Sequence, residues 1–256
     1  LKVTIAAGTA ADVAGTPVSG ALVEMVGAAA LPSWTLSDGS YFLIGVSLPD
    51  QSLLLRFSKA GYIQTPVQLP AVSAGVAFLQ INAVMKLAGA MQTIDPATTA
   101  TVTEGTTKAT VEPGDLVDAD ANPATGTAQV SLTPMDPSGA EIGLFPGFNA
   151  TKGGTDSLLE SYAAVEIAVL IGDRNANIAS GKTIRVEFPI PDSQQSQFTL
   201  GQTLVDFLWS LNETTGVWEE GLPVVVEAST IDPSKKALFG EVPHLSRWNC
   251  DKPLQT

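Results

Sequence analysis

The chain reads as an all-β protein built of two β-sandwich domains, the smaller one first. Three observations predict this. Short apolar runs recur at spacings of about ten residues, punctuated by Gly, Pro, Asn and Asp, as in β-sandwiches. No window longer than about ten residues keeps a helical period. The composition, 45% hydrophobic and 15% charged over 256 residues, is that of a folded chain long enough to bury one large β-core or two ordinary ones.

The elements follow in order. Lys2 to Ala6 alternates as a half-buried strand should. Ala21 to Val26 follows the turn Thr16-Pro17-Val18-Ser19-Gly20. Tyr41 to Val46 follows Ser37-Asp38-Gly39-Ser40, where Gly39 can take positive φ. Leu53–Phe57, Ile63–Leu69 and Val76–Met85 complete the first set of strands. Ala88-Gly89-Ala90 is a short joint. Thr98 to Val111, broken at Glu104-Gly105, predicts an exposed hairpin opening the second domain. Strands are then expected at Gly126–Thr133, Tyr162–Ile171, Thr183–Phe188, Thr203–Leu211, Val217–Val226 and Lys236–Val242. Thr155 to Ser161 alone hints at a helical turn. The segment Val242–Pro253, with the only histidine and the only cysteine of the chain, reads as a closing strand. Trp248 is expected in a core shared with Trp209 and Trp218.

Two resemblances rest on these residues. Gly15-Thr-Pro-Val-Ser-Gly-Ala-Leu-Val23, Ser37-Asp-Gly-Ser-Tyr-Phe-Leu43 and Phe57-Ser-Lys-Ala-Gly-Tyr62 resemble the carboxypeptidase regulatory-like domain. That implies a small transthyretin-like sandwich over residues 1–87, a non-catalytic spacer, adhesion or carbohydrate-contact module. Phe145-Pro-Gly-Phe148 with Ala163–Ile167, the Trp209 to Gly221 hairpin and His244–Pro253 together resemble the extracellular region of the cartilage intermediate layer protein and astroprincin family. That implies a larger antiparallel sandwich over residues 88–256.

Charge excludes some partners. With 26 acidic and 13 basic residues the formal net charge is −13, which repels phosphate backbones and anionic membranes. Nucleic acid is therefore not expected as a partner. No apolar run approaches the roughly 20 residues of a membrane span. No basic-then-apolar leader opens the sequence as given, so an export signal is expected to have been removed or never present. A single cysteine excludes an internal disulfide and a Cys-based zinc cluster.

Few residues carry chemistry. There is no Gly-x-Ser-x-Gly elbow, His-Glu-x-x-His or phosphate loop, and no enzymatic activity is expected. His244-Leu245-Ser246 is similar to the step cut in self-cleaving receptor and death-domain proteins. In that reading Ser246 attacks the Leu245 carbonyl and His244 takes its proton. The competing reading is a strand start after Pro243. Asp118, Asp120 and Asn122 have the one-three-five oxygen spacing of a Ca²⁺ loop, with Asp115 close by. Pro123 stands where an EF-hand has glycine, so a looser calcium site or a solvated acidic turn is expected. Lys2, Glu24 and Asn82 are similar in placement to the isopeptide residues of collagen-adhesin repeats. Glu219 and Glu220 point to opposite faces of a strand and cannot serve as one acid/base pair. Trp34, Tyr41 and Trp218 are candidate sugar platforms.

The expectation is thus a secreted or cell-surface module for adhesion, assembly or ligand binding, meeting protein or glycan partners. Self-cleavage at Leu245–Ser246 and carbohydrate binding are the alternatives. Long Thr/Val strands at a sheet edge make homotypic assembly an open option.

Overall fold

The computed structural model describes residues 2–48, 53–70 and 75–254, and it is all-β. The chain divides into two compact units. The first comprises Leu1–Ala88 together with Ser138–Phe148 and Asn212–Val217; the second comprises the rest.

The first unit contains β1 (Lys2–Asp12), β2 (Leu22–Val26), β3 (Ala29–Ala30), β4 (Ser33–Trp34), β5 (Ser40–Ser47), β6 (Leu54–Ser58), β7 (Thr65–Gln68), β8 (Gly75–Gln80) and β9 (Ala83–Met85). One sheet runs β3-β5-β1-β8, with β9 alongside the far end of β1; the other runs β4-β2-β6-β7. The inward positions of the first, among them Ala6, Ala10, Tyr41 and Leu43, share a core with Val23, Met25, Leu55 and Phe57 of the second. Tyr41 meets Phe57 edge to face, with ring centroids 5.2 Å apart.

The expected Val76–Met85 strand is two strands. Between them Ile81 N–H donates to the Ala7 carbonyl at 2.9 Å, and Asn82 Oδ1 accepts the Thr9 N–H at 3.1 Å. The crossing requires glycine at position 8, because a Cβ there would stand 1.8 Å from the Ile81 oxygen. The turn before β5 is as expected from its residues: Gly39 has φ +78° and Asp38 caps Ser40.

The second unit contains β10 (Gln92–Ile94), β11 (Ala100–Glu104), β12 (Thr107–Val111), β13 (Leu116–Val117), β14 (Ala128–Met135), β15 (Asn149–Lys152), β16 (Thr155–Ile171), β17 (Arg174–Asn175), β18 (Asn177–Ile178), β19 (Ile184–Pro189), β20 (Thr203–Asn212), β21 (Val217–Ala228), β22 (Lys236–Val242) and β23 (Arg247–Leu254). The main sheet has the order β10-β14-β16-β23-β20-β21-β22-β19-β12-β11. Its inner positions, including Val102, Leu132, Val165, Phe188, Leu208, Leu238 and Trp248, form a single core.

Two expectations need correction. Thr155–Ser161 is not helical but the start of the 17-residue strand β16, where it pairs with β15 and with the end of β23. The Thr98–Val111 hairpin exists, yet Val102, Ala109 and Val111 are fully buried, so only one of its faces is exposed. The strand expected within Val242–Pro253 is β23, and it lies between β16 and β20.

The three tryptophans also separate. Trp209 pairs with Asn249, and Ser210 pairs with Trp248. Neighbours along a strand point to opposite faces, so Trp209 and Trp248 lie on opposite sides of the sheet. Both sides are interior. β15 pairs with β16 and also, in parallel, with β21, so β15, β16, β23, β20 and β21 close a ring. The second face of β23, bearing Arg247, Asn249 and Asp251, is buried with Trp209 and Trp218.

This second interior is polar. Asn249 Nδ2 donates to Asp251 Oδ2 at 2.6 Å, and Ser161 Oγ donates to Asn249 Oδ1 at 2.7 Å. Asp251 is fully buried, and its Oδ1 has no hydrogen-bond partner. Burial drives its pKa well above the usual carboxylate range, and the nearby Ser161 hydroxyl offsets only part of this. The folded chain therefore binds a proton here that the unfolded chain releases above about pH 4. Stability from this group is full below the unfolded pKa and is lost as pH rises through the folded one. Asp251→Asn, which cannot ionise, is expected to be more stable than the parent at pH 8 by ~1–3 kcal/mol. The gain should vanish near about pH 3.5. Urea unfolding of the parent and of Asp251→Asn at the two pH values checks this. If the substitution weakens the chain at pH 8, the ionised carboxylate is the native form.

Candidate functional site

The outer face of the first unit's β5-β1-β8 layer is the feature that folding alone does not explain. Register places Val46, Val3 and Val76 in one row, Ile44, Ile5 and Phe78 in the next, and Phe42, Ala7 and Gln80 in the third. Eight of these nine positions are apolar, and none is charged. The opposite faces of the same strands carry the core. Outward-facing positions of such a sheet normally read polar, yet Phe78 is 76% exposed, Val76 60%, Phe42 56% and Ile44 47%. A shallow hollow over Ala7 and Gly8 is walled by Ile5, Phe42, Phe78 and Gln80. A signal for this face is present in the sequence. Tyr41-Phe-Leu-Ile-Gly-Val46 is apolar at successive positions, whereas a one-sided strand alternates.

Among the described residues β8 is the outermost strand of this layer, and it contains neither charge nor proline. Other edges are short, as with β3, β4 and β10, or carry a blunting residue: Pro66 in β7 and Glu104 in β11. Charge, proline and shortness are the usual guards against strand pairing.

The segment around the single histidine lies elsewhere. Pro243–Ser246 is the turn between β22 and β23. His244 Nε2 lies 2.7 Å from Glu220 Oε1, and its ring packs on Trp248 at 4.7 Å between centroids. Ser210 Oγ donates to the same Glu220 oxygen at 3.1 Å. The Glu220 carboxylate can accept a proton carried on His244 Nε2. Ser246 Oγ stands 3.5 Å from the Leu211 and Arg247 carbonyl oxygens. Glu220 has φ +87°, a strained conformation for a non-glycine residue, and its two side-chain partners hold it there. Cys250 is fully buried, and that burial pushes its thiol pKa well up.

The acidic loop uses its own carboxylates. Asp118 Oδ1 accepts the N–H groups of Asp120 and Asn122, each at 2.9 Å. Asp120 is held by Arg174 through two bonds of 2.7 and 3.0 Å. The Asn122 hydrogen bonds hold Asp118 below its usual pKa, and Arg174 does the same for Asp120. Asp115 Oδ2 caps the Glu112 N–H at 2.7 Å. A calcium ion would have to compete with Arg174 for Asp120. Among the described residues no group of three or more His, Cys, Asp or Glu is gathered about a common point.

The other candidates are not brought together. Asn82 sits at Thr9, seven residues along β1 from Lys2 and thus about 23 Å away at ~3.3 Å per residue. Glu24 lies in the other sheet, paired with Arg56 at 3.0 Å. Tyr41 is buried and its hydroxyl donates to the Ile81 carbonyl at 2.8 Å, and Trp218 is fully buried. Neither can be a sugar platform. Trp34 is exposed.

No protein-family profile matches the chain, and no curated protein matches it. Among solved structures it is similar to the major pilin SpaD from Corynebacterium diphtheriae, at 11% identity and a TM-score of 0.27 over 98% of this chain and 86% of that one. A streptococcal ancillary pilin matches at 12% identity and 0.25, over 74% of this chain and 54% of that one. This chain therefore spans about half the length of that pilin. A DUF3823 family protein from Bacteroides ovatus matches at 11% and 0.21, over 74% and 92%. At these scores the likenesses carry no argument about what the chain does. No helix among the described residues is long and apolar enough to cross a membrane.

Proposed function

We propose that the chain is a non-enzymatic β-sandwich protein of the cell surface or extracellular space that works by contact, and that the outer face of β5-β1-β8 is its contact surface. The observation that carries this is the three-by-three grid with eight apolar positions and no charge, exposed on a sheet whose other face already supplies the core. The largest contiguous apolar patch on a monomeric soluble protein, commonly ~300–600 Å², is often its functional surface. The resemblance to regulatory-like modules used in adhesion fits this reading.

The test separates contact from folding. Phe78→Ser and Ile44→Ser are expected to change stability by no more than about 0.5–1 kcal/mol, as for surface positions. A core position such as Phe57, fully buried, should lose ~3–5 kcal/mol on truncation to alanine. Urea denaturation of the three variants at low protein concentration measures this. A loss of several kcal/mol for Phe78→Ser would make the face part of the fold rather than a contact surface.

A further inference from the structure

We propose that the occupant of this face is a second copy of the same chain, packed sheet face to sheet face across a two-fold axis. The proposal rests on the contact reading above and names its partner.

Area comes first. Phe78, Val76, Phe42, Ile44 and Val46 are between 36% and 76% exposed. At about 150 to 200 Å² for a fully exposed large apolar side chain, they present roughly 400 to 550 Å² of apolar surface. A standard interface buries about 800 Å² per partner, with an apolar centre and a polar rim. The face thus has the size of such a centre.

Charge comes second. Each copy carries a formal net charge of −13, so two copies repel at long range. They can meet cheaply only where no carboxylate is brought against another, and none of the nine outward positions is charged. The same absence argues against a basic partner, which an acidic surface would recognise by charge rather than by aliphatic rows.

Shape comes third. The face is not flat. Phe78 stands out from β8, Phe42 stands out from β5, and between them Ala7 and Gly8 leave the hollow. Under a two-fold operation every ridge of one copy meets the matching patch of the other. A projecting phenylalanine and an alanine–glycine hollow on one face are self-complementary in that sense. Sheets packed face to face at about 10 Å interdigitate large side chains with small ones in this way.

Sedimentation equilibrium of the full 256-residue chain tests the proposal. Over about 1 to 200 µM we expect a monomer–dimer equilibrium with a Kd on the order of 10 µM. It should tighten between about 50 mM and about 500 mM NaCl as the like charges are screened. Phe78→Asp, which places a carboxylate twice at the two-fold interface, should weaken association at least ~100-fold. Phe78→Ser should weaken it less. Leu200→Asp, at an exposed leucine in the second unit, should leave it unchanged. A parent chain that stays monomeric at the highest concentration overturns the second copy as occupant; so does a dimer that survives Phe78→Asp. If the parent is monomeric while Phe78→Ser and Ile44→Ser retain full stability, the contact reading stands with another partner. If those serine variants unfold, both readings fall.

Discussion

Replacing Arg247 by alanine is expected to destabilise the second unit by about 3–5 kcal/mol, the cost of breaking a buried ion pair from one side. Arg247 is 1% exposed. Its Nε and Nη2 both donate to Glu166 Oε2, at 3.2 and 2.7 Å, across the register of β16 and β23. Removing the guanidinium leaves a largely buried carboxylate without its partner. Truncation also removes the packed stem of the arginine. Glu166→Gln keeps shape and hydrogen-bonding capacity, and should cost less than the alanine change. Arg247→Met with Glu166→Leu, which removes both charges, should recover part of the loss, since well-packed apolar replacements of buried pairs are often tolerated. Urea unfolding of the four chains checks the order. A loss below about 1 kcal/mol for Arg247→Ala would place the pair among surface ion pairs of little consequence.

Much of this architecture is legible because strands and turns are written locally. Lys236–Val242 reads as a strand and is one, to the residue. Ser37–Ser40, Glu104-Gly105 and Asn212–Gly216 read as reversals because their residues satisfy turn geometry themselves; Asn212 Oδ1, for instance, accepts the Thr214 and Thr215 N–H groups. What is not legible is which face of a strand is inside. That depends on partners far along the chain. Thr155–Ser161 gives a weak helical pattern, and only its pairing with β15 and with the end of β23 makes it a strand. The parallel pairing of Ala150 with Trp218 closes the ring, and no local residue type signals it. Without the ring, Asp251 and Asn249 read as solvent-side residues of a closing strand. The site residues behave likewise. His244 and Asp120 stand out by type, but Glu220 and Arg174, which occupy them, come from distant strands. The apolar outer face is the reverse case. Its signal, the unbroken run at Tyr41–Val46, is in plain view, but a strand apolar on both sides reads equally as ordinary core until its neighbours are placed.

The division of the tryptophans leads to the second large effect. Trp248→Ala and Trp209→Ala are each expected to cost ~3–5 kcal/mol, as large aromatic truncations in cores do. Both side chains are at most 2% exposed, and each indole N–H has a backbone partner: Trp248 Nε1 donates to the His244 carbonyl at 3.1 Å, and Trp209 Nε1 to the Asp206 carbonyl at 3.0 Å. A shared core would make the two losses interact. Opposite faces of one sheet predict that they do not. Milder changes keep the cycle measurable, because a loss near 8 kcal/mol would exhaust a typical domain's stability of about 5–15 kcal/mol. In the Trp209→Phe, Trp248→Phe cycle the double variant should lose the sum of the singles to within about 0.5 kcal/mol. Trp209 should instead couple to Gly221. That residue has φ +60°, and a Cβ built there would stand 3.0 Å from the tip of the Trp209 ring. Gly221→Ala is thus strained in the parent twice, by its backbone and by the indole. Trp209→Phe should relieve the second strain and leave the first, so part of the Gly221→Ala loss should return in that background. A coupling of about 1 kcal/mol or more between Trp209 and Trp248 would mean that the two indoles share packing partners.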